Sequence, residues 1–346
     1  PFFLLKNNIF AFALYFLETA SVNMIKNNIY CILILFSAVT YSQIGGKSVY
    51  QFLNLVTSPR QAALGGKTIT IYDYDVNQAN FNPATINEEM NNRLAINYGN
   101  YHGEATYGTA SYAYTFDRHV QTFQAGVNYI NYGQFDGYDE NGVQTSSFTG
   151  SEIALNFGYS YNVPNTDLYI GASGKLISST LESYNSFGGA IDIGGLYIDE
   201  VNEVNYALVI RNVGTQFTTY SGTNEKLPME IMAGISQQVE NVPIRWHLTL
   251  ENLQQWKIAF SNPNRAVNSL DGGTTEEKVS FFNNALRHLI VGAELFPTKS
   301  FNIRLGYNFR RGEELKLVEQ RNFSGISLGF GLKMGRLKFD YSYSRY

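Results

Sequence analysis

A single cysteine, Cys31, stands among the 346 residues. It lies before the core of a short apolar run near the N-terminus. Beyond that run the chain therefore has no disulfide, no thiolate metal site and no cysteine nucleophile. Charge is scarce too: 16% of residues are Asp, Glu, Lys or Arg, against about 25% in an ordinary soluble domain. The net charge of −4 comes with no basic tract of the kind that grips nucleic acid. After residue 44 no apolar run reaches the roughly 18 residues needed to cross a bilayer as a helix. A mean hydropathy of −0.18 agrees and excludes a helical membrane protein. Prolines number only 8 beside 31 glycines, which suits a turn-rich all-β chain.

Catalytic groupings are also missing. His102, His119, His247 and His288 are scattered without metal-ligand spacing. Asp73 and Asp75 lack the glycine and the spaced ligands of a calcium loop. The run Asp271-Gly272-Gly273-Thr274-Thr275-Glu276-Glu277-Lys278 lacks the Gly-Lys-Ser/Thr of a phosphate cradle. The expectation is a protein with no enzymatic activity, no cofactor and no metal.

Abundant instead are aromatics, 25 Tyr and 24 Phe, and a hydrophobic/polar alternation with a period of two. Leu94, Ile96 and Tyr98 alternate with Ala95, Asn97 and Gly99. Phe301, Ile303, Leu305, Tyr307 and Phe309 alternate with Asn302, Arg304, Gly306, Asn308 and Arg310. Successive strand side chains point to opposite faces, so each such segment has one apolar and one polar face. Thirteen strands are predicted: 93–101, 106–116, 120–132, 150–161, 167–178, 186–198, 204–213, 228–239, 243–253, 286–296, 300–310, 324–334 and 336–345. Short turns, as at Asp117-Arg118-His119 and Gly335, alternate with longer connections, chiefly 133–149, 214–227, 254–285 and 311–323. This is the sorting of periplasmic turns from extracellular loops, and the fold class read from it is an all-β antiparallel transmembrane β-barrel.

Polar faces carry the charge. Arg245, His247, Thr249 and Glu251 oppose Ile244, Trp246, Leu248 and Leu250. Asp192, Arg211, Glu230, Glu294 and Arg304 fall on polar faces as well. A lipid-facing charge costs roughly 2–4 kcal/mol at the midplane, so these groups belong in the lumen, paired with opposite signs.

Residues 24–42 read as a signal peptide: Met24-Ile25-Lys26-Asn27-Asn28, an apolar stretch from Ile29 to Val39, and small residues before Gln43. Residues 1–23 form an upstream segment without an initiating Met, residues 43–91 an N-terminal hatch, and residues 92–346 the barrel. In the hatch, Thr68–Tyr72 reads as a short strand. Gly65-Gly66 is either a tight positive-φ turn that seats the hatch or an ordinary loop. Arg60 either anchors the hatch to a lumenal carboxylate such as Asp192, Glu230 or Glu294, or is a solvated loop arginine. Asn82-Pro83 reads as a structural turn ahead of the first strand.

Ser58-Pro59-Arg60-Gln61-Ala62-Ala63-Leu64-Gly65-Gly66, then Phe81-Asn82-Pro83-Ala84, then a long run of barrel strands, resembles the FadL-like barrels of Bacteroidetes. Within them the chain is similar to the PorV/PorQ branch of the type IX secretion system, and Gln43-Ile44-Gly45-Gly46 with Tyr50-Gln51-Phe52-Leu53-Asn54-Leu55 looks PorQ-like. The resemblance implies a 14-stranded outer-membrane barrel with an N-terminal hatch. It also implies membership of a cell-surface attachment complex that holds a PorZ-like partner beside PorU and PorV.

Two functional expectations follow. The first is a type IX secretion component in the outer membrane, in contact with lipid and docking its partner on the long loops. Trp256, Ile258, Phe260, Phe281 and Phe282 are the first candidates for that contact, and Phe135 and Tyr138, with Phe148, the second. For the aromatics of 254–285 the other reading is an interfacial girdle with a loop folded into the lumen. The alternative function is a FadL-like transporter of hydrophobic small molecules. Thirteen is an odd count where bacterial barrels have even ones. The sequence therefore predicts an open seam between strands 336–345 and 93–101, with the chain stopping one strand early.

Overall fold

The computed structural model describes residues 48–101, 103–117, 121–259, 267–268, 274–275, 279–315 and 323–345. The signal-peptide assignment lies outside the described residues, as does Phe260.

Each of the thirteen expected barrel strands is present. In chain order the strands are β1 (Arg93–Asn100), β2 (Thr106–Asp117), β3 (Gln121–Phe135), β4 (Phe148–Asn162), β5 (Leu168–Leu181), β6 (Tyr184–Asp199), β7 (Val204–Thr218), β8 (Glu230–Gln238), β9 (Ile244–Leu250), the short β10 (Val267–Asn268) and β11 (Thr274–Thr275), β12 (Leu289–Leu295), β13 (Phe301–Asn308), β14 (Ile326–Met334) and β15 (Leu337–Ser344). All but β10 and β11 form one 13-stranded antiparallel sheet in sequence order. The register preserves the two faces: Leu305 lies opposite Ala293 on one side and Leu328 on the other. Apolar rows thus continue across strands, and a slip of one residue would turn them inward. Outward rows are left exposed, among them Ile153, Leu155, Phe157, Ile191, Ile193, Leu208, Ile303 and Leu305.

What the sheet encloses shows that it curls into a barrel. Side chains or backbone of residues 49–90 meet the inner face of strands from both ends of the sheet. Val49, Phe52 and Leu53 cluster with Ile130, Ala154, Ile177 and Ala190. Ile69, Phe81 and Ala84 cluster with Leu196, Ala207, Val209 and Met232. Near the C-terminal edge, Ser344 Oγ donates to the Ala62 carbonyl at 3.4 Å. The hatch is the core of the barrel.

Order within the sheet runs from β1 to β15, and no ladder joins these two among the described residues. The seam lies where an odd strand count puts it, because edges of a consecutive antiparallel run with odd count are parallel to one another. Ile96 on β1 and Leu337 on β15 are 73% and 74% exposed, each lacking a neighbour on one side.

Three local expectations differ from the structure. Thr68–Tyr72 forms no strand. Side-chain amides satisfy its carbonyls instead: Gln61 Nε2 donates to Thr68 O, Asn82 Nδ2 to Ile69 O, and Asn205 Nδ2 to Thr70 O. The connection 254–285 contains β10, β11 and the start of a helix, Phe281–Leu286, whose Asn283 N–H donates to the Ser280 Oγ cap. The third is β13, which ends at Asn308 rather than Arg310, because Asn308 Oδ1 caps the helix Phe309–Glu314.

Candidate functional site

The lumen is filled by a hatch held by ion pairs. Arg60 opens the short helix Pro59–Ala63 just after Pro59, a residue suited to the first helical turn. Arg60 is 2% exposed. Nε and Nη2 donate to the two Glu294 oxygens of β12 at 2.7 and 3.0 Å, a bidentate pair. Nη1 donates to Asp73 at 2.7 Å. On the wall, Arg304 donates to Glu294 at 3.1 Å and to Asp340 at 2.6 Å. Burial alone would push the Asp73 carboxyl up; Arg60, with Lys338 and Arg245 further off, outweighs it and holds the group below the usual carboxylate range.

A second network joins the hatch to β5, β6, β7 and β8. Lys67 Nζ donates to both Glu230 oxygens at 2.7 Å. Arg211 reaches Glu230 at 3.4 Å and the carbonyls of Leu53 and Asn80 at 3.1 and 3.2 Å. Lys175 lies 2.6 Å from Asp192. Sequence reasoning missed Lys67, Lys175 and the Asp73/Asp75 pair as members of these networks. The available signal was the placing of Lys67 and the aspartates on either side of Thr68–Tyr72, in a chain otherwise poor in charge.

Backbone fit matches the charge fit. Gly65 adopts φ 93° and lies against β13, and a Cβ on Gly306 would sit 2.0 Å from Gly65 N. Gly66 is also at positive φ, 155°. The Ala84 N–H donates to Asn82 Oδ1 at 2.9 Å, and Pro83 begins the turn behind it. Cβ atoms on Gly171 or Gly194 would strike Pro83 or Asn82 at 2.2 and 2.1 Å. Small residues on the inner face are thus the grooves into which the hatch is pressed.

On the long-loop side the aromatic candidates separate. Trp256 stacks on His288 at 5.4 Å and lies 5.0 Å from Phe281. Phe281 and Phe282 are 75% and 70% exposed, while Ile258 is only 4% exposed. Ile258 is therefore a packing residue and not a contact one, since Asn284 Oδ1 holds its backbone N–H in the loop interior at 3.2 Å. Phe135 stacks on Phe148 at 5.3 Å, and Tyr138 is exposed. These two aromatic groups belong to different loops, 135–148 and 250–289, and no contact joins them among the described residues. His247 lies 3.4 Å from Glu294 inside the lumen. Among the described residues no group of His, Cys, Asp and Glu is arranged to hold a metal ion.

One cavity opens at the seam. It has a volume of about 470 Å³ and lies toward the long-loop end, between Asn100 and Tyr101 on one edge and Ser342–Arg345 on the other, with Leu55, Val56 and Ala62 of the hatch as its floor.

No protein-family model matches the chain, and no curated protein matches it. Among solved structures it is similar to the P. putida toluene transporter TodX, with a TM-score of 0.44 and 14% identity over 78% of this chain and 86% of that one.

Proposed function

We propose that this chain is a non-enzymatic outer-membrane β-barrel whose work is done at its rims: a PorV/PorQ-like component of the type IX secretion system that holds a PorZ-like surface protein on its long loops. The observation that carries this reading is the hatch. It is keyed into the lumen wall and tied there by buried, bidentate charge pairs, an arrangement suited to a fixed plug rather than a mobile gate. The apolar outer rows suit lipid, where closed or nearly closed sheets satisfy their own backbone. The exposed Phe281 and Phe282 offer anchors of the kind that protein interfaces favour.

Replacing Phe281 and Phe282 together by serine is expected to release the PorZ-like protein from detergent extracts of the outer membrane while the barrel stays in place. Undiminished co-purification would remove these residues from the interface.

The seam cavity favours a second reading, a FadL-like transporter of hydrophobic small molecules. Its position between the two edge strands suits a molecule entering from the membrane, and Leu55, Val56, Tyr101 and Tyr343 give it apolar lining beside the polar Asn100, Ser342, Ser344 and Arg345. Uptake of a labelled fatty acid by cells in which this barrel is the sole candidate carrier would favour it over the docking role.

A further inference from the structure

At the short-turn end of the seam three cations converge on one hatch tyrosine. The guanidinium of Arg93 lies 4.7 Å from the Tyr74 ring centroid, Lys333 Nζ 4.7 Å and Lys338 Nζ 5.2 Å. All three occupy inner-face positions of the alternation on β1, β14 and β15. The register sets Lys333 directly opposite Lys338, a like-charge pairing that disfavours the sheet. Among the described residues only Lys338 of the three has a carboxylate within ion-pair reach, Asp340 at 3.3 Å, and Asp340 is already engaged by Arg304 at 2.6 Å. Arg93 Nε donates to the Glu89 backbone carbonyl at 2.6 Å. The carboxylates of Glu88 and Glu89 form no ion pair with these cations among the described residues. The short turns across the same rim carry the opposite sign, with Asp199, Glu200, Glu203 and Glu240.

We infer that this cationic mouth around Tyr74 docks an acidic segment of a protein on the periplasmic side of the barrel. A cross-strand lysine pair beside an arginine is costly unless an anion shares it. Because the cations belong to both edges of the seam, an extended acidic chain can bridge them. A rim with two arcs of opposite sign matches a partner surface with the same polarity reversed, which steers and orients a protein more than it would a small anion. The inference rests on the outer-membrane reading, which makes the short-turn side periplasmic.

The test uses the intact barrel in detergent and a fluorescent octaglutamate peptide, with octaglutamine as its neutral counterpart. The glutamate peptide is expected to bind, and to bind more weakly as salt is added. Changing Arg93, Lys333 and Lys338 together to glutamine should weaken it about tenfold. Lys257→Gln, on the long-loop side, should leave it unchanged. Should the triple variant fail to fold, Lys333→Gln alone removes the opposed pair and should still weaken binding about twofold to threefold. Equal binding by wild type and these variants, equal binding of octaglutamine, or displacement of the peptide by an equal concentration of inorganic phosphate would overturn the proposal. Separately, Arg336→Cys should react with an impermeant maleimide only after the outer membrane is opened. Labelling in intact cells would overturn the orientation, and with it the periplasmic partner, while the binding measurement still reports on the cationic mouth.

Discussion

Arg60 shows how much rests on one side chain. It hydrogen-bonds both Glu294 on the wall and Asp73 in the hatch. Removing one partner of a buried ion pair costs up to about 3–5 kcal/mol where a charge is left alone, and here Arg304 at 3.1 Å still compensates Glu294. Arg60→Ala is therefore expected to lower the stability of the seated hatch by less than that, read as new protease cleavage between residues 58 and 91 and as ion conductance in planar bilayers. Arg60→Lys should restore only part, because an ammonium cannot reproduce the bidentate fork. Glycine positions report the same fit without charge. A methyl at Gly306 would sit 2.0 Å from Gly65 N, backbone against backbone, with no flexible side chain to yield. Gly306→Ala is expected to cost more than about 2 kcal/mol and to unseat the hatch. Gly174→Ala, where a Cβ meets nothing within 4 Å, should leave hatch protection unchanged.

At the scale of elements, hatch and wall are joined by charge, so their union depends on pH. The Asp73 carboxyl titrates below its unfolded value. Its contribution is fully present above the ordinary aspartate value of about 4. That contribution declines as pH falls from there toward the lowered folded value, and is gone below it. Acid should therefore loosen the hatch before it unfolds the strands: proteolysis within residues 58–91 should rise below about pH 4 while strand circular dichroism persists, and Asp73→Asn should remove that part of the acid dependence. A simultaneous loss of both signals would mean that hatch and wall unfold as one unit. Strands were legible in the sequence as period-two alternation, since one face meets an apolar environment and the other a polar interior. The helix Phe281–Leu286 and the helix Phe309–Glu314 were not, because six residues give too few turns for a helical period to show. Only their caps, Ser280 and Asn308, carried a signal.

Over the whole molecule the seam is the main departure from a closed barrel. Among the described residues β1 and β15 each have a strand neighbour on one side only, whereas β5 is paired on both sides along its length. Amide exchange is expected to be faster in β1 and β15 than in β5, measured by mass spectrometry on the barrel in detergent. Equal protection would mean that the two edges meet in solution. The all-β class, the thirteen strands, the inward charges and the odd count with its seam were all determined by the sequence, because each depends on local alternation and on simple parity. Partner choice was decided only by the tertiary structure. Arg60 had Asp192, Glu230 and Glu294 to choose from, and the fold brought Glu294 to it across 234 residues. Lys67 met Glu230 instead, and Tyr74 came to lie among Arg93, Lys333 and Lys338 at the two ends of the sheet. Alternation tells a side chain which face it occupies. Which side chain it meets on that face depends on how the sheet curls and how the hatch is threaded through it, and those are properties of the whole curled sheet rather than of any one strand.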